Sequence, residues 1–275
     1  MVKFNRFTLD NGLRVIVHED NTTPMAVVNI LYDVGARDEN PEQTGFAHLF
    51  EHLMFGGSVN IPDYDEPLQR VGGENNAFTS NDITNYYITL PSANLETAFW
   101  LESDRMLSLA FSEKSLEVQR NVVIEEFKQR YLNQPYGDMW LKLRPLAYQE
   151  HPYRWATIGK DIEHIERATM DDVQNFFFRF YRPNNAVMVV AGAIKTAQVR
   201  ELANKWFGDI PPGDAAGLYR GPGRGNRSAH RRTIAGQRAA SERPPDRCAA
   251  SCHGLAYLGG SASFADWRCH QCQAG

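Results

Sequence analysis

The run AVMVVAGAI, Ala186 to Ile194, limits the possible folds more than any other stretch of the chain. A helix that crosses a bilayer needs about 20 apolar residues. These nine are far too few, and they read as a strand buried in a sheet. Partners for that strand are found upstream. FTLDNGLRVIVHED reads as two strands around an Asp10-Asn11-Gly12 turn, because Asn-Gly favours the positive φ angles of tight hairpins. MAVVNILYDVGARDE supplies a longer apolar strand. GGENNAFTSNDITNYYITLP reads as Gly-rich turn, strand, turn and strand, with β-preference strongest over Tyr86, Tyr87, Ile88 and Thr89.

Helical patterns lie between these strands. Thr44 is expected to N-cap a helix that runs to about Phe55 and stops at Gly56-Gly57. A loop with Pro62 and Pro67 follows. Further helices are expected over Ser92 to Leu109, Ser115 to Tyr131, Tyr136 to Tyr148, Met170 to Phe180 with Thr169 as cap, and Val199 to Phe207. Strands clustered with helical runs between them imply an α+β fold: an antiparallel or mixed sheet with helices on one face. The hydrophobic content, 43%, is enough for a substantial core in a soluble globular protein. No internal repeat and no membrane span are found. The N-terminus has no secretory signal pattern, so the cytoplasm is the default expectation and the periplasm the alternative.

The chain changes character near Pro211-Pro212. Residues 213–275 hold nine arginines, no lysine and four acids, a net +5, which leaves −9 on residues 1–212 out of the total of −4. All four cysteines, Cys248, Cys252, Cys269 and Cys272, also lie in that tail. Residues 1–212 therefore form the expected folded domain, without disulfides. The tail has no apolar period of either kind and reads as irregular.

TGFAHLFEHLMFGG places His48 and His52 four apart, with Glu51 between them. On a helix, residues i and i+4 project from one face, so both imidazoles can point at one ion. A glutamate on the same side can hydrogen-bond a metal-bound water, the placement a general base needs. Zinc accepts nitrogen ligands in a tetrahedral shell and needs at least one more ligand here. The bland alternative is that all three are satisfied polar groups at a helix edge. LEVQRNVVIEEFKQR offers the missing ligand. With Leu116, Val123 and Phe127 on its buried stripe, Glu126 flanks that stripe and Glu125 faces water. A carboxylate beside a core is costly unless paired or bound to a metal, which favours Glu126 as a ligand.

His48-Leu49-Phe50-Glu51-His52, followed some seventy residues on by Arg120-Asn121-Val122-Val123-Ile124-Glu125-Glu126, resembles the inverzincin zinc peptidases of the pitrilysin and mitochondrial processing peptidase family. FTLDNGLRVIVHED, VGARDENPEQTG, NNAFTSNDITNYY, HPYRWATIG and YRPNNAVMVVAGAI follow the family's order, so the resemblance covers about residues 4–212. It implies a processing-peptidase-like domain in which His48, His52 and Glu126 bind one Zn2+ per chain and Glu51 activates water. It also implies an edge strand, Glu74, Asn75, Asn76, Ala77, Phe78 and Thr79, along which a peptide or unfolded protein substrate pairs as an added strand. Without the motif, an ordinary hairpin accounts for that segment. Gln119 stands where the family often has a glutamate that supports the ligands, and it retains hydrogen-bonding capacity.

Three functions follow: a zinc metalloendopeptidase, a non-catalytic partner subunit of a processing-peptidase-like complex, and a nucleic-acid-binding protein acting through its basic tail. The first is the expectation. The intact His48, Glu51 and His52 speak against the second. Family members close two similar halves over the substrate, so the chain is expected to pair, as homodimer or heterodimer, with a homologous half. The tail cysteines are spaced C-x3-C, sixteen residues, then C-x2-C, close to a zinc ribbon, with His253 and His270 as alternative ligands. The competing and preferred expectation is an out-of-frame remnant in place of the second domain, which makes nucleic-acid binding the weakest of the three.

Overall fold

The computed structural model describes residues 2–214, and both expectations for the cysteine-rich tail fall outside them. Six strands form one sheet: β1 (Asn5–Thr8), β2 (Arg14–Glu19), β3 (Met25–Tyr32), β4 (Glu74–Thr79), β5 (Thr84–Pro91) and β6 (Ala186–Gly192). Their spatial order is β1-β2-β6-β3-β5-β4. β6 is parallel to β2 and antiparallel to β3, and the remaining neighbours are antiparallel. The long apolar run is thus an interior strand, with Val190 opposite Val17 on one side and Val28 on the other.

Side chains alternate across a strand, so the two faces of the sheet can differ. Along β3, Ala26, Val28, Ile30 and Tyr32 are buried, while Val27, Asn29 and Leu31 are half-buried. β6 alternates in the same way. One face therefore carries the main core, and the fold is the α+β layer that the sequence implied. At the β1–β2 turn only Gly12 takes a positive φ, +89°. Asn11 is instead buried, and its Nδ2 donates to the carbonyl oxygens of Phe207 and Ile210 at 2.7 and 3.0 Å. This ties the first hairpin to the last helix.

Among the described residues the helices are α1 (Phe46–Leu53), α2 (Asp65–Arg70), α3 (Leu95–Leu107), α4 (Glu113–Phe127), α5 (Met139–Ala147), α6 (Ile162–Glu166), α7 (Met170–Phe180) and α8 (Thr196–Phe207). α2 lies where a loop was expected; its Pro67 falls in the first turn, where no N–H is needed. α4 is capped by Ser112, whose Oγ accepts the Ser115 N–H, and it continues as a π turn over Lys128–Leu132. α7 has the expected Thr169 cap, completed by Asp172 as a capping box.

The cap expected on α1 is not found. Thr44 is buried one residue too early, and its hydroxyl contacts His164 and accepts the Lys160 N–H. The capping position belongs to Gly45 at φ +90°, where a Cβ would come within 2.6 Å of the Ile158 carbonyl oxygen. Only glycine fits that corner. α1 then buries Phe46, Ala47, Leu49, Phe50 and Leu53. Phe50 packs on Tyr181 and Phe177 at centroid distances of 4.5 and 5.9 Å. Each large apolar side chain buried this way contributes about 1.5–3 kcal/mol, which leaves the polar side of α1 free for chemistry.

Candidate metal centre

The polar side of α1 faces α4, and the two helices bring the predicted ligands together. The His48 and His52 rings lie 4.8 Å apart between centroids, nearly perpendicular. Glu126 Oε2 stands 3.5 Å from the Nε2 of each histidine. Donor atoms of the three side chains all fall within 4.8 Å of one another, and no other such group of three occurs among the described residues. The side chains of His48, His52 and Glu126 are 12%, 25% and 28% exposed, so the cluster is largely buried yet still reached by solvent. Glu125 points to water and pairs with Lys128, as the helix geometry predicted.

The spacing suits an ion better than a proton. At 3.5 Å the carboxylate is at the limit of hydrogen bonding to either ring. Two ligands about 2.0–2.1 Å from a tetrahedral zinc lie about 3.4 Å apart. Two imidazoles and one carboxylate are also a donor set zinc accepts while keeping a position for water. The residues present therefore fit the metal.

The electrostatics favour the unprotonated donors. Burial pushes the His48 imidazole down to about 4, opposed by the neighbouring Glu126 charge, so its lone pair is free at neutral pH. Contact with His52, then the charges of His48 and Arg130, holds Glu126 below the usual carboxylate range against the effect of burial. Arg130 reaches Glu126 Oε1 at 3.3 Å. Burial raises Glu51, while the hydrogen bond from Thr79 opposes the rise. Glu51 is thus a stronger proton acceptor than a solvated carboxylate, as a general base requires.

Thr79 ends β4, and its hydroxyl donates to Glu51 Oε2. β4 pairs with β5 alone and is an edge of the sheet. Glu74, Asn76 and Phe78 are exposed along it, while Asn75, Ala77 and Thr79 are half-buried. Asn75 is held by Asp65 at 2.7 Å, and the Asn76 side-chain oxygen accepts the Ala77 N–H at 2.8 Å. The turn after β4 is anchored through Asp82, which accepts from Arg37 Nη1 at 3.0 Å and from the Tyr153 hydroxyl. Gln119 lies half-buried on α4, and its side chain makes no hydrogen bond among the described residues.

Sequence reasoning missed Glu39 and Trp155. The Glu39 carboxylate accepts the N–H groups of Gly45 and Ala47 at 2.9 Å each, at the start of α1. The Trp155 indole N–H donates to the same carboxylate at 3.0 Å. Burial pushes Glu39 up to about 8, and these donors oppose the rise. The available signal was an acid shortly upstream of a helix that lacks a capping side chain of its own.

The chain is similar to known proteins over most of its described residues. Residues 14–157 match the family model described as insulinase, peptidase family M16, and residues 167–242 match the one described as the M16 inactive domain. The zinc protease PqqE of Helicobacter pylori is 38% identical over 208 residues, which cover 74% of this chain and 47% of that protein. The mitochondrial-processing peptidase subunit beta of Saccharomyces cerevisiae is 28% identical over 220 residues, covering 78% of this chain and 47% of its own. A crystal structure of a protease from H. pylori superposes with a TM-score of 0.75 at 35% identity, covering 78% of this chain and 52% of that one. The chain spans about half the length of the curated relatives it matches.

Proposed function

Since the chain belongs to peptidase family M16, the insulinase family, we propose that its described domain is the metal-binding half of a zinc metalloendopeptidase. The observation that carries this is the convergence of His48, His52 and Glu126 from two helices, with Glu51 beside them on α1. His48, His52 and Glu126 would hold the ion. Zinc bound there would lower the pKa of water and polarise a peptide carbonyl.

The chain's own residues do the rest. Glu51, made more basic by burial, accepts the proton of the attacking water and passes it to the leaving amine. Thr79 holds the Glu51 carboxylate by one oxygen and leaves the other for that proton. A peptide is bound as an added strand along β4, through backbone groups that any sequence presents, so side-chain demands are loose. The substrate class is therefore peptides or unfolded proteins.

Pairing with a homologous half, another copy or a related chain, belongs to this proposal. The yeast relative is itself named as a subunit. The intact set of three ligands and Glu51 favours the catalytic role over that of an inactive partner. No helix among the described residues is long and apolar enough to cross a membrane.

Elemental analysis of the purified chain tests the metal. About one zinc per chain is expected, lost on His48→Ala. Glu51→Gln should keep the zinc and abolish cleavage of an unfolded casein substrate, measured with the homologous half present. Cleavage by Glu51→Gln at the parent rate would sink this assignment.

A further inference from the structure

The metal centre takes its two imidazoles and its base from one short helix, so the way that helix enters the site matters as much as the ligands themselves. α1 is entered through Gly45 at the capping position, which has no side chain with which to cap the first turn. The amides of a first helical turn have no partner within the helix. Two of those at the start of α1, Gly45 N–H and Ala47 N–H, are bracketed by the two oxygens of Glu39. Ala47 directly precedes His48. Glu39 is 7% exposed, and its Oε2 is also held by the Trp155 indole, which donates as well to the Ala36 carbonyl oxygen at 2.9 Å. α4, which carries Glu126, is anchored independently by its Ser112 cap and by Arg120, which donates to the Ala168 carbonyl oxygen. The spacing between the histidines and Glu126 thus depends on these attachments as well as on the packing of α1 against α4.

We propose that Glu39, oriented by Trp155, is a positioning residue for the metal centre: its carboxylate fixes the entry of α1 so that His48 and His52 meet Glu126. The proposal rests on the zinc assignment above. Three N–H donors converge on one buried carboxylate, two of them from the entry of α1. Groups that orient metal ligands without touching the metal typically change affinity by about 10- to 100-fold when removed.

Glu39→Gln keeps the side-chain length and one acceptor oxygen, but turns an NH2 toward the second amide. Trp155→Phe keeps an aromatic ring and removes only the indole donor. The experiment compares the full chain with both variants by hydrogen exchange of the α1 amides without metal, by zinc affinity in chelator competition, and by the visible absorption of the cobalt-substituted protein. The expected result for Glu39→Gln is a folded protein with faster exchange at Ala47 and His48, zinc bound at least about tenfold more weakly, and shifted cobalt bands. Trp155→Phe should move each readout the same way by a smaller factor. A purely structural role would lower stability and leave the affinity and the cobalt spectrum of the folded protein unchanged.

A folded Glu39→Gln with zinc affinity within about twofold of the parent and an unshifted cobalt spectrum overturns the proposal. Where Glu39→Gln does not fold, Trp155→Phe decides: affinity weakened about threefold or more supports it, and parental affinity overturns it. A parent chain that takes up no zinc, while Glu39→Gln still speeds exchange in α1, sinks the zinc assignment and leaves the positioning of α1 standing. Unchanged exchange in α1 sinks the positioning.

Discussion

Arg105 is 2% exposed, and its guanidinium lies between the Tyr64 and Tyr86 rings at 4.6 and 4.4 Å. It pairs with Glu102, which also accepts the Tyr64 hydroxyl at 2.7 Å. Removing one partner of a buried ion pair leaves an uncompensated charge and costs about 3–5 kcal/mol. Arg105→Ala should lower stability by about that amount in urea unfolding, and Arg105→Met combined with Glu102→Leu should recover most of it. Near the metal centre, Thr79→Val removes the hydroxyl that holds Glu51. A hydrogen bond to a charged group is worth about 1.5–3 kcal/mol, so turnover should fall by about tenfold or more with zinc content unchanged. Loss of zinc in Thr79→Val would show that the threonine supports the metal rather than the base. At this scale the convergence of His48, His52 and Glu126 was legible because i, i+4 spacing and a flanking acid have direct geometric meaning. Glu102 and Arg105 were not, because an acid and a base three apart on a helix read equally well as a solvent-facing pair. Only the packing of α3 decides the matter.

Elements show the same division. The strands and the Thr169 cap of α7 followed from local pattern, since alternation and caps are local physics, whereas α4 starts at Glu113 behind the Ser112 cap and gives way to a π turn at Lys128. α2 and α6, at six and five residues, are too short to display a helical period. Thr44 was misassigned because a cap is recognised by residue type, whereas Gly45 takes that place by a φ that sequence does not display. α8 is secured across the chain in a comparable way. Glu19, the last residue of β2, accepts the Thr196 N–H and hydroxyl at 2.8 and 2.7 Å, with Lys195 Nζ at 3.3 Å. The Thr196 hydrogen bonds, aided by Lys195, lower its carboxyl from 4.5 to about 2. A carboxyl depressed by folding contributes stability that is complete above its unfolded pKa and lost as pH falls through its folded one. The contribution of Glu19 should therefore be full above about pH 4.5 and decline toward pH 2. Glu19→Gln should be less stable than the parent at pH 6, and the gap in thermal midpoint should close as pH is lowered through this window. A gap independent of pH would show that packing, not charge, joins β2 to α8.

For the whole molecule, the open questions are what covers it and what brings a peptide to it. The ligand cluster is partly exposed, β4 has a free edge among the described residues, and α5 fully buries none of its own side chains. Tyr136, Trp140 and Leu146 are 88%, 57% and 75% exposed along that segment. An isolated domain gains nothing from such a surface, and contiguous exposed apolar residues mark places where another surface docks. The relatives have about as much chain again. Holding a substrate in reacting geometry matters greatly to rate, since a misplacement of about 1 Å can cost about 100-fold. The proposed zinc site is built from α1 and α4 alone, whereas alignment of a peptide on β4, as proposed, depends on what lies opposite that strand. The two properties should therefore separate. The full chain by itself should bind zinc at the stoichiometry it shows in any complex, and cleave unfolded casein weakly. Adding a homologous half should raise kcat/KM by about 100-fold without changing the zinc content. Elemental analysis and cleavage rates on the same samples check this. A kcat/KM indifferent to the added half would mean that this chain aligns the peptide unaided.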